Sequence, residues 1–543
     1  MMRRRGCTLA QLFVVIAVIG VLSAIASPAM AAAKGPYEAI IYVSGTTIYA
    51  QDSGGNAIDS GTFNSADTRV FQSAATYVKQ GFLFIQNPND ANNQKKYVIT
   101  SKITMNPGTT LVSDHALIDI SGCNDIAFQW GSDDVVNEAL PDRLGMRGLK
   151  FWGSEAHSNS WVAQVSNHQM GILFEDLEFR DVYNGIRIRG EAYEATVRNC
   201  QSTRVPGVVV ELDGLTQSDG HTGKISPDQA LIDHCFFTAY SNGNPVGTAV
   251  KIMATSTPVG PDDDENTPDY VTIRDSWFEG WKTCILNQGF RTQIENCVLD
   301  PSYGAGPAVK IEARYNNGSR VPWSGELTTI ANCKKTIACN GYPAIEIDCP
   351  HSVQYITHNQ IDSDGTATTA VHTESAATII ADHNALGMHA VGFDIYPDEG
   401  AVSLIHANRI QIPTGGTGIH FQGGFSMAVM GNTFEGAPGA TNIDAAGLSH
   451  SQIKDNAFTA SPVVTVGSTC TVSHNLNYLT ESSGSSTGTG SSQTIAHGLA
   501  GAPKSVSIVP TVSGATVSGV WADATSIHCT VTDNTAFNWR AER

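Results

Sequence analysis

The sequence contains few charged and few aromatic residues, 15% and 8% of its 543 residues. Its 32 Lys and Arg are outnumbered by 51 Asp and Glu, and the net charge of −19 disfavours binding to nucleic acid or to an anionic membrane surface. None of the 11 cysteines stands in a Cys-x-x-Cys pair, which disfavours a cysteine-type zinc site. The zinc-protease, Walker and dinucleotide-binding motifs are absent as well. These absences exclude several common enzyme classes.

The only long hydrophobic run lies at the N-terminus. Three consecutive arginines precede an apolar stretch over residues 12–26, and small residues follow it. This pattern over residues 1–31 is typical of a secretory signal peptide and predicts a secreted or cell-surface protein. The same segment resembles a type IV prepilin leader, with Gly6 before the expected cleavage site. Both alternatives stay open, and membrane contact is expected only through this leader if it is not cleaved.

One short phrase recurs about a dozen times between residues 146 and 477. It consists of an aliphatic residue, any residue, a small polar residue, Asn or Cys, any residue, and Phe, Ile or Leu. Its Asn position recurs at 359, 384, 408, 432 and 456, a spacing of 24 or 25 residues that fits one coil of a β-solenoid. Equivalent positions of stacked coils lie about 4.8 Å apart, so we expect an internal ladder of Asn amides.

Cysteine takes the Asn position in the earlier coils. We expect these side chains to be buried in the same column, either as free thiols or as disulfides between neighbouring coils. The residues concerned are Cys200, Cys235, Cys297 and Cys333.

A second phrase follows 8 to 14 residues after the first and reads Gly or Ala, aliphatic, variable, aliphatic, as in Ala344-Ile345-Glu346-Ile347. The period of two predicts a strand. Two short strands and several turns per coil leave no room for a crossover helix, so the coils must stack in parallel around one apolar core. The predicted fold class is all-β, a parallel β-helix.

These repeats resemble the right-handed parallel β-helices of the pectate-lyase-like superfamily, which includes polysaccharide lyases, glycoside hydrolases and viral tailspikes. The resemblance covers roughly residues 40–480. Residues 65–75 resemble the capping helix of that superfamily, and Asp67 or Thr68 is suited to start it. The resemblance implies an extracellular polysaccharide or cell-surface glycan as the partner.

The expected organisation of the chain has five parts. They are a leader (1–31), an N-terminal cap with the first coils (37–120), the parallel β-helix (121–480), a flexible Ser/Gly linker (481–492) and a small β module (493–543). About fifty residues make a marginal core, so we expect the module to pack on the solenoid or against itself in a homo-oligomer.

In this superfamily the substrate lies in a groove along one parallel sheet, so the outward variable residues of the second phrase are candidate site positions. We expect the first outward column to contain Arg187, Val209, Lys251, Ile285, Lys310, Glu346, His372, Asp394, His420 and Asp444.

Acidic residues concentrate in the middle of this surface. Their spacing of one or two rungs, about 4.8 or 9.6 Å, brackets the carboxyl separations of retaining and inverting glycosidases. The predicted catalytic residues are therefore Glu346, Asp348, Glu374 and Asp394, with His372 beside them and with Lys310 or Arg314 as the base of a lyase. A calcium ion of the kind that lyases use would draw on Glu312, Asp348 and Glu374.

Like charges this close predict that the pKa of some of these carboxyl groups is raised. The alternative is that the charges are solvent-facing strand residues that pair with their neighbours.

Three functions fit these observations. The first is an exported β-helix that binds an extracellular polysaccharide and cleaves it as a lyase or a hydrolase. The second is a noncatalytic cell-surface, adhesin or filament protein, and the third is a tailspike-like protein.

Overall fold

The computed structural model describes most of the chain beyond the predicted leader, and residues 1–31 lie outside the described part. The described residues are 36–89, 95–132, 142–167, 169–215, 226–239, 247–255, 267–301, 306–316, 318–321, 323–338, 341–363, 368–398, 400–459, 462–467 and 469–543. Across these ranges, no helix is both long and apolar enough for a membrane span.

A parallel sheet of 14 strands forms one side of the solenoid, and each strand contains one copy of the second phrase or its equivalent. The apolar residues of each strand point into the core and the variable ones point out. The strands are Ile103–Met105, Ile126–Trp130, Trp161–Ser166, Asn184–Arg189, Val208–Asp213, Thr248–Met253, Thr283–Asn287, Val309–Glu312, Ile345–Asp348, Thr369–Thr373, Val391–Ile395, Thr417–Phe421, Thr441–Ala445 and Val464–Val466.

A sheet of 31 strands covers the rest of the solenoid and contains the first phrase, which forms a bend between two short strands. The strands before the bend are Gln169–Glu175, Ala192–Tyr193, Thr196–Arg198, Leu231–Asp233, Thr272–Arg274, Gln293–Glu295, Thr328–Ala331, Val353–Thr357, Thr378–Asp382, Ser403–His406, Met427–Met430, Gln452–Lys454 and Thr471–Ser473. Those after it are Glu178–Arg180, Gln201–Thr203, Phe236–Thr238, Trp277–Glu279, Val298–Asp300, Lys335–Ala338, Gln360–Ser363, Ala385–Leu386, Arg409–Ile412, Thr433–Gly436 and Ala457–Phe458.

The seven remaining strands of this sheet build the N-terminal end. They are Ala39–Ser44, Thr47–Asp52, Ala57–Thr62, Gly81–Ile85, Tyr97–Val98, Thr109–Asp119 and Asp142–Trp152. The first three pair antiparallel, whereas the coils that follow pair in parallel. Two further pairs of short strands lie outside the two large sheets. They are Tyr315–Asn316 with Ser319–Arg320 and Gly424–Phe425 with Leu448–Ser449.

An α-helix at Asp67–Tyr77 covers the N-terminal end of the core, as the sequence predicts. Its buried face consists of Asp67, Val70, Phe71, Ala74 and Ala75. The helix begins at Asp67, one of the two residues expected to start it, but its N-cap residue is Ala66 and no side chain caps it. The Asp67 carboxylate instead accepts hydrogen bonds from the backbone N–H groups of Asn64 (2.7 Å) and Val98 (2.8 Å), which ties the helix to the first coil.

The predicted Asn ladder is present, and it satisfies its own polar groups. Asn384 shows the pattern: its backbone N–H and its Nδ2 both donate to Oδ1 of Asn408 at 2.9 Å, and Nδ2 also donates to the carbonyl of Ile356 at 2.7 Å. That carbonyl belongs to the residue three positions before the ladder Asn of the preceding coil. The amides that make up the ladder are Asn359, Asn384, Asn408, Asn432, Asn456 and Asn475, each of them buried.

The cysteines of the earlier coils replace only one of these bonds. The Sγ atoms of Cys200, Cys235, Cys297 and Cys333 lie 3.6 to 3.9 Å from the equivalent carbonyl oxygens of the preceding coils. All four are free, buried thiols, so the disulfide alternative is not realised. Burial raises the pKa of Cys200, and the neighbouring Cys333 thiol, with burial, raises that of Cys297.

The residue just before each ladder position adopts a left-handed backbone conformation. This explains why the phrase has a small polar residue there, since Asn, Asp and His tolerate a positive φ better than most side chains. The non-glycine examples are Asn199, His234, Asp275, Asn296, Asn332, His358, His383, Ala407, Asp455 and His474, with φ between 50° and 57°.

The segment predicted as a flexible linker is structured, which corrects the expected boundaries of the C-terminal module. Glu481–Thr487 pairs antiparallel with Ala536–Glu542, so the module begins at residue 481. Gly484 lies against the indole of Trp539, where an added Cβ would meet Cζ2 at 2.8 Å. The glycine that suggests a linker is therefore needed for close packing.

The C-terminal module is a sandwich of two three-stranded antiparallel sheets. One consists of Glu481–Thr487, Ala536–Glu542 and Ser505–Pro510, and the other of Ser492–Ala496, Ser526–Val531 and Val517–Ala522. Its small core contains Ile527, Cys529, Phe537 and Trp539. Ala500 donates a backbone hydrogen bond to Leu479 at 2.9 Å, which joins the module to the end of the solenoid.

We expect Asn408→Ala to lower the free energy of unfolding by about 2 to 4 kcal/mol. The substitution leaves the buried N–H donors of Asn384 and the carbonyl of Ala381 without hydrogen-bond partners. Denaturant unfolding followed by circular dichroism measures the change. Asn408→Cys should cost less, since a thiol occupies this column in earlier coils. The exposed control Gln452→Ala should change stability by no more than about 0.5 kcal/mol. Equal stability of Asn408→Ala and wild type would contradict the role of the ladder.

Candidate functional site

The outward face of the 14-stranded sheet carries one continuous column of variable residues. From the N-terminal end, the strand register aligns Gln129, Gln164, Arg187, Glu211, Lys251, Leu286, Lys310, Glu346, His372, Asp394, His420, Asp444 and Thr465.

Two positions of the predicted column are wrong. Val209 and Ile285 are fully buried, and Glu211 and Leu286 take the outward places. Residues 208–210 are all valine, so alternation alone does not determine which face each one occupies.

Charged residues in the region predicted to be catalytic pair with one another. Nζ of Lys310 lies 3.0 Å from Oε1 of Glu346 and 3.4 Å from Oε2 of Glu312. Burial alone would lower the pKa of Lys310, but the hydrogen bond to Glu346 raises it. Gln288 donates to the other oxygen of Glu312 at 2.8 Å. Lys310 is thus held as a cation, which does not suit it to act as a base.

His372, Asp394 and His420 form a second cluster on the next three rungs. Nδ1 of His372 lies 2.8 Å from one oxygen of Asp394, and Nδ1 of His420 lies 2.7 Å from the other. The hydrogen bond to Asp394 raises the pKa of His372. Burial would raise the pKa of Asp394, but hydrogen bonds from His372, Gln422 and His420 hold it at about 2. Asp394 is therefore ionised at neutral pH and is no proton donor.

The structure does not gather the predicted calcium ligands. Asp348 lies opposite Glu312 in the register, and the carboxylate of Glu374 is 3.9 Å from Nε2 of His372. Within the described ranges, two groups of three ligand side chains have their ligand atoms within 4.8 Å, and neither includes Glu312, Asp348 or Glu374. The residues thus share a face without forming a metal cage.

A depression of about 620 Å³ lies nearer the N-terminal end of the same face. Its floor is the outward column from Gln129 to Lys251, and its walls come from residues around Asp125 and from the loop at 158–159. Asn184 supports that loop, because its Nδ2 donates to the carbonyls of Ser158 (3.2 Å) and Ser160 (3.0 Å). The indole of Trp161 faces the depression, with the Arg187 guanidinium 5.3 Å from the ring centroid.

Two carboxylates and two guanidinium groups form a network in this depression and beside it. Nε of Arg187 lies 2.7 Å from Glu211, and its Nη2 lies 2.8 Å from Asp213, which also accepts from Nε of Arg189 at 2.9 Å. Burial raises the pKa of Glu211 even though Arg187 acts in the opposite direction. Glu211 is thus a buried carboxyl group in which the effect of burial on the pKa exceeds that of the neighbouring guanidinium.

The depression is not predictable from the repeats, because its walls lie outside them. The second phrase does extend to Val162-Ala163-Gln164-Val165, and that copy places Gln164 in the column. Residues 125 and 158–159 belong to connections with no repeat, so no periodicity indicates that they close a cavity.

Comparison with known proteins gives matches among solved structures only, because no protein-family profile and no curated protein matches the chain. The tailspike protein of E. coli bacteriophage HK620 in complex with pentasaccharide matches with a TM-score of 0.54 and 12% identity, over 91% of this chain and 92% of the tailspike chain. A mutant of that tailspike, also in complex with pentasaccharide, gives 0.53 and 13% over the same shares. The similarity establishes that the fold is a right-handed parallel β-helix.

We expect His372→Gln to destabilise the protein in a pH-dependent way. A raised pKa of His372 contributes stability that is complete below its ordinary value of 6.5 and is lost at higher pH as the folded-state value is passed. The lowered pKa of Asp394 contributes above 3.8 and is lost as pH falls towards about 2. The difference from wild type should therefore peak between pH 4 and 6.5, at about 1 to 2 kcal/mol, in unfolding titrations across pH.

The matched control for this prediction is His474→Gln, since His474 is exposed and lies 3.8 Å or more from its acidic neighbours. Its difference from wild type should be small, because exposed ion pairs at this distance contribute little to stability. A flat profile for His372→Gln would contradict the ion pair.

Proposed function

We propose that the chain is a glycan-binding β-helix protein and that the depression around Trp161 is its principal binding region. The observation that carries this proposal is the composition of the depression: one indole beside amide, guanidinium and carboxylate groups on the outward face of a rigid sheet. A sugar ring offers an apolar face that an indole covers, and hydroxyl groups that pair with planar polar side chains. The column from Lys310 to His420 extends this polar surface.

The similarity to tailspike structures supports the same proposal. The neighbouring tailspikes are described in complex with pentasaccharide, and they share the solenoid over nearly its full length. A tailspike-like role at a cell surface is consistent with this fold, and export through the N-terminal leader would place the chain there.

Trp161→Ala should weaken binding to a responsive glycan at least tenfold, because it removes the apolar platform, worth about 1.4 kcal/mol or more. Titration of the full chain against a panel of polysaccharides and oligosaccharides measures the effect. Trp277→Ala is the matched control, since its indole is 41% exposed on the 31-stranded sheet, outside the depression. Equal losses for the two variants would mean that the depression is not the binding region.

We further propose that Glu211 acts as the proton donor of a hydrolytic cleavage, with Asp213 as its partner carboxylate. Burial raises the pKa of Glu211, whereas that of Asp394 is held at about 2, so Glu211 is the better acid of the two. Glu211 and Asp213 are separated by one position along their strand, so their α-carbons lie about 6 to 7 Å apart. Both carboxylates contact the same guanidinium, Glu211 at 2.7 Å from Nε of Arg187 and Asp213 at 2.8 Å from its Nη2.

Glu211→Gln should lower the rate of reducing-end release by about 100-fold or more while binding is retained. The double variant Glu346→Gln/Glu374→Gln tests the set predicted from sequence. If only the double variant lost cleavage, the catalytic residues would be among Glu346, Asp348, Glu374 and Asp394 and would not include Glu211. Unsaturated products would identify a lyase and contradict hydrolysis.

A noncatalytic surface or filament protein is the second candidate, and one observation favours it. The indole of Trp521 is 57% exposed in the C-terminal module and stacks on His528 at a centroid distance of 3.8 Å. The solenoid would then act as a stiff spacer that presents this module. In that case the Trp161→Ala and Glu211→Gln variants would behave as wild type on every glycan.

A further inference from the structure

A cluster of imidazoles lies at the bend of the 31-stranded sheet, away from the depression. Asp382 ends the strand Thr378–Asp382, and His383 is the left-handed turn residue that follows it, with φ of 53°. His406 ends the strand Ser403–His406 of the next coil and lies opposite Asp382 in the register. The backbone N–H of His383 donates to the carbonyl of His406 at 3.1 Å, so the two coils hold these residues in fixed positions.

The side chains of the three residues converge on one point. Nδ1 of His383 lies 2.8 Å from Oδ2 of Asp382, and Nδ1 of His406 lies 2.7 Å from Oδ1. One ligand atom from each residue falls within 4.8 Å of the others. The ring of His358 stacks on that of His383 with a centroid distance of 5.0 Å and an angle of 4°, which fixes the orientation of the His383 imidazole.

We propose that Asp382, His383 and His406 form a surface binding site for a divalent transition metal ion such as Zn²⁺. Two imidazole nitrogens and one carboxylate oxygen are ligands that Zn²⁺ and its neighbours accept at about 2.0 to 2.2 Å, whereas Ca²⁺ takes oxygen ligands only. In the complex Nδ1 of each imidazole binds the ion through its lone pair and the ring proton is on Nε2, so a ring that carries its proton on Nδ1 exchanges it through solvent for one on Nε2. Water completes the coordination on the exposed side.

The equivalent bend in an earlier coil, here called the earlier corner, shows what excludes an ion; the bend with Asp382, His383 and His406 is the later corner. Asp233, His234 and Asp275 also have their ligand atoms within 4.8 Å. Arg274 lies opposite Asp233 in the register, in the place that His406 takes opposite Asp382. Nε of Arg274 is 3.1 Å from Asp233, and a guanidinium is always charged and cannot ligate a metal. The two corners therefore differ at two positions, Arg274 against His406 and Asp275 against Ala407, and the guanidinium at 274 makes the earlier corner an ion pair.

The test is calorimetric titration of the chelator-treated full chain with Zn²⁺. Wild type should bind one equivalent, and His406→Arg should weaken binding by about 100-fold or more. This variant keeps Asp382 paired, as Arg274 does for Asp233, so its thermal midpoint reports that the fold is intact. The control His474→Ala removes another left-handed turn histidine and should bind Zn²⁺ as wild type does.

The reciprocal variant provides an independent readout. Arg274→His should add a second equivalent of bound Zn²⁺, because it gives the earlier corner the missing imidazole. The proposal is overturned if wild type binds Zn²⁺ no more tightly than His406→Arg, or if His474→Ala loses as much affinity as His406→Arg. Failure of Arg274→His to bind a second ion would overturn the argument that Arg274 excludes an ion from the earlier corner.

Discussion

The fold depends on satisfying one buried carbonyl group per coil. Each bend between the two short strands leaves the carbonyl of the residue three positions before the ladder residue inside the solenoid, away from water. In the Asn coils an amide of the next coil donates to that oxygen, and in the Cys coils a thiol lies 3.6 to 3.9 Å from it, whereas Ser276 donates to the carbonyl of Arg274 in its own coil. Because this bond joins neighbouring coils, it fixes their register, and the register in turn sets which variable residues share the outward column.

This constraint also explains how much of the molecule is predictable from the sequence. The spacing of Asn359, Asn384, Asn408, Asn432 and Asn456 predicts the solenoid and its ladder, because a repeated physical requirement leaves a repeated residue. The capping helix is also predictable from residues 65–75. The face occupied by Val209 was not, because a run of valines has no alternation. The depression was not either, because irregular loops build its walls.

The acidic cluster expected from the sequence proves to be an arrangement of alternating charge. Along the column Lys310 pairs with Glu346, and Asp394 lies between His372 and His420. Opposite charges on neighbouring rungs pair, as stacked strands favour. The pKa of Asp394 is therefore lowered, where crowding of like charges would have raised it. The spacing in the sequence predicts how many acidic residues lie on one face of the sheet. Only the strand register shows which basic residue lies next to each of them.

The ladder has a further consequence for how such a chain changes in length. Every coil between Asn359 and Asn456 makes the same contacts with the coil before it and the coil after it. Duplicating 24 residues would therefore add one rung of about 4.8 Å and leave every ladder amide with a partner. The reach of the solenoid can thus be adjusted by recombination within the gene, one coil at a time, while both ends of the molecule keep their structures.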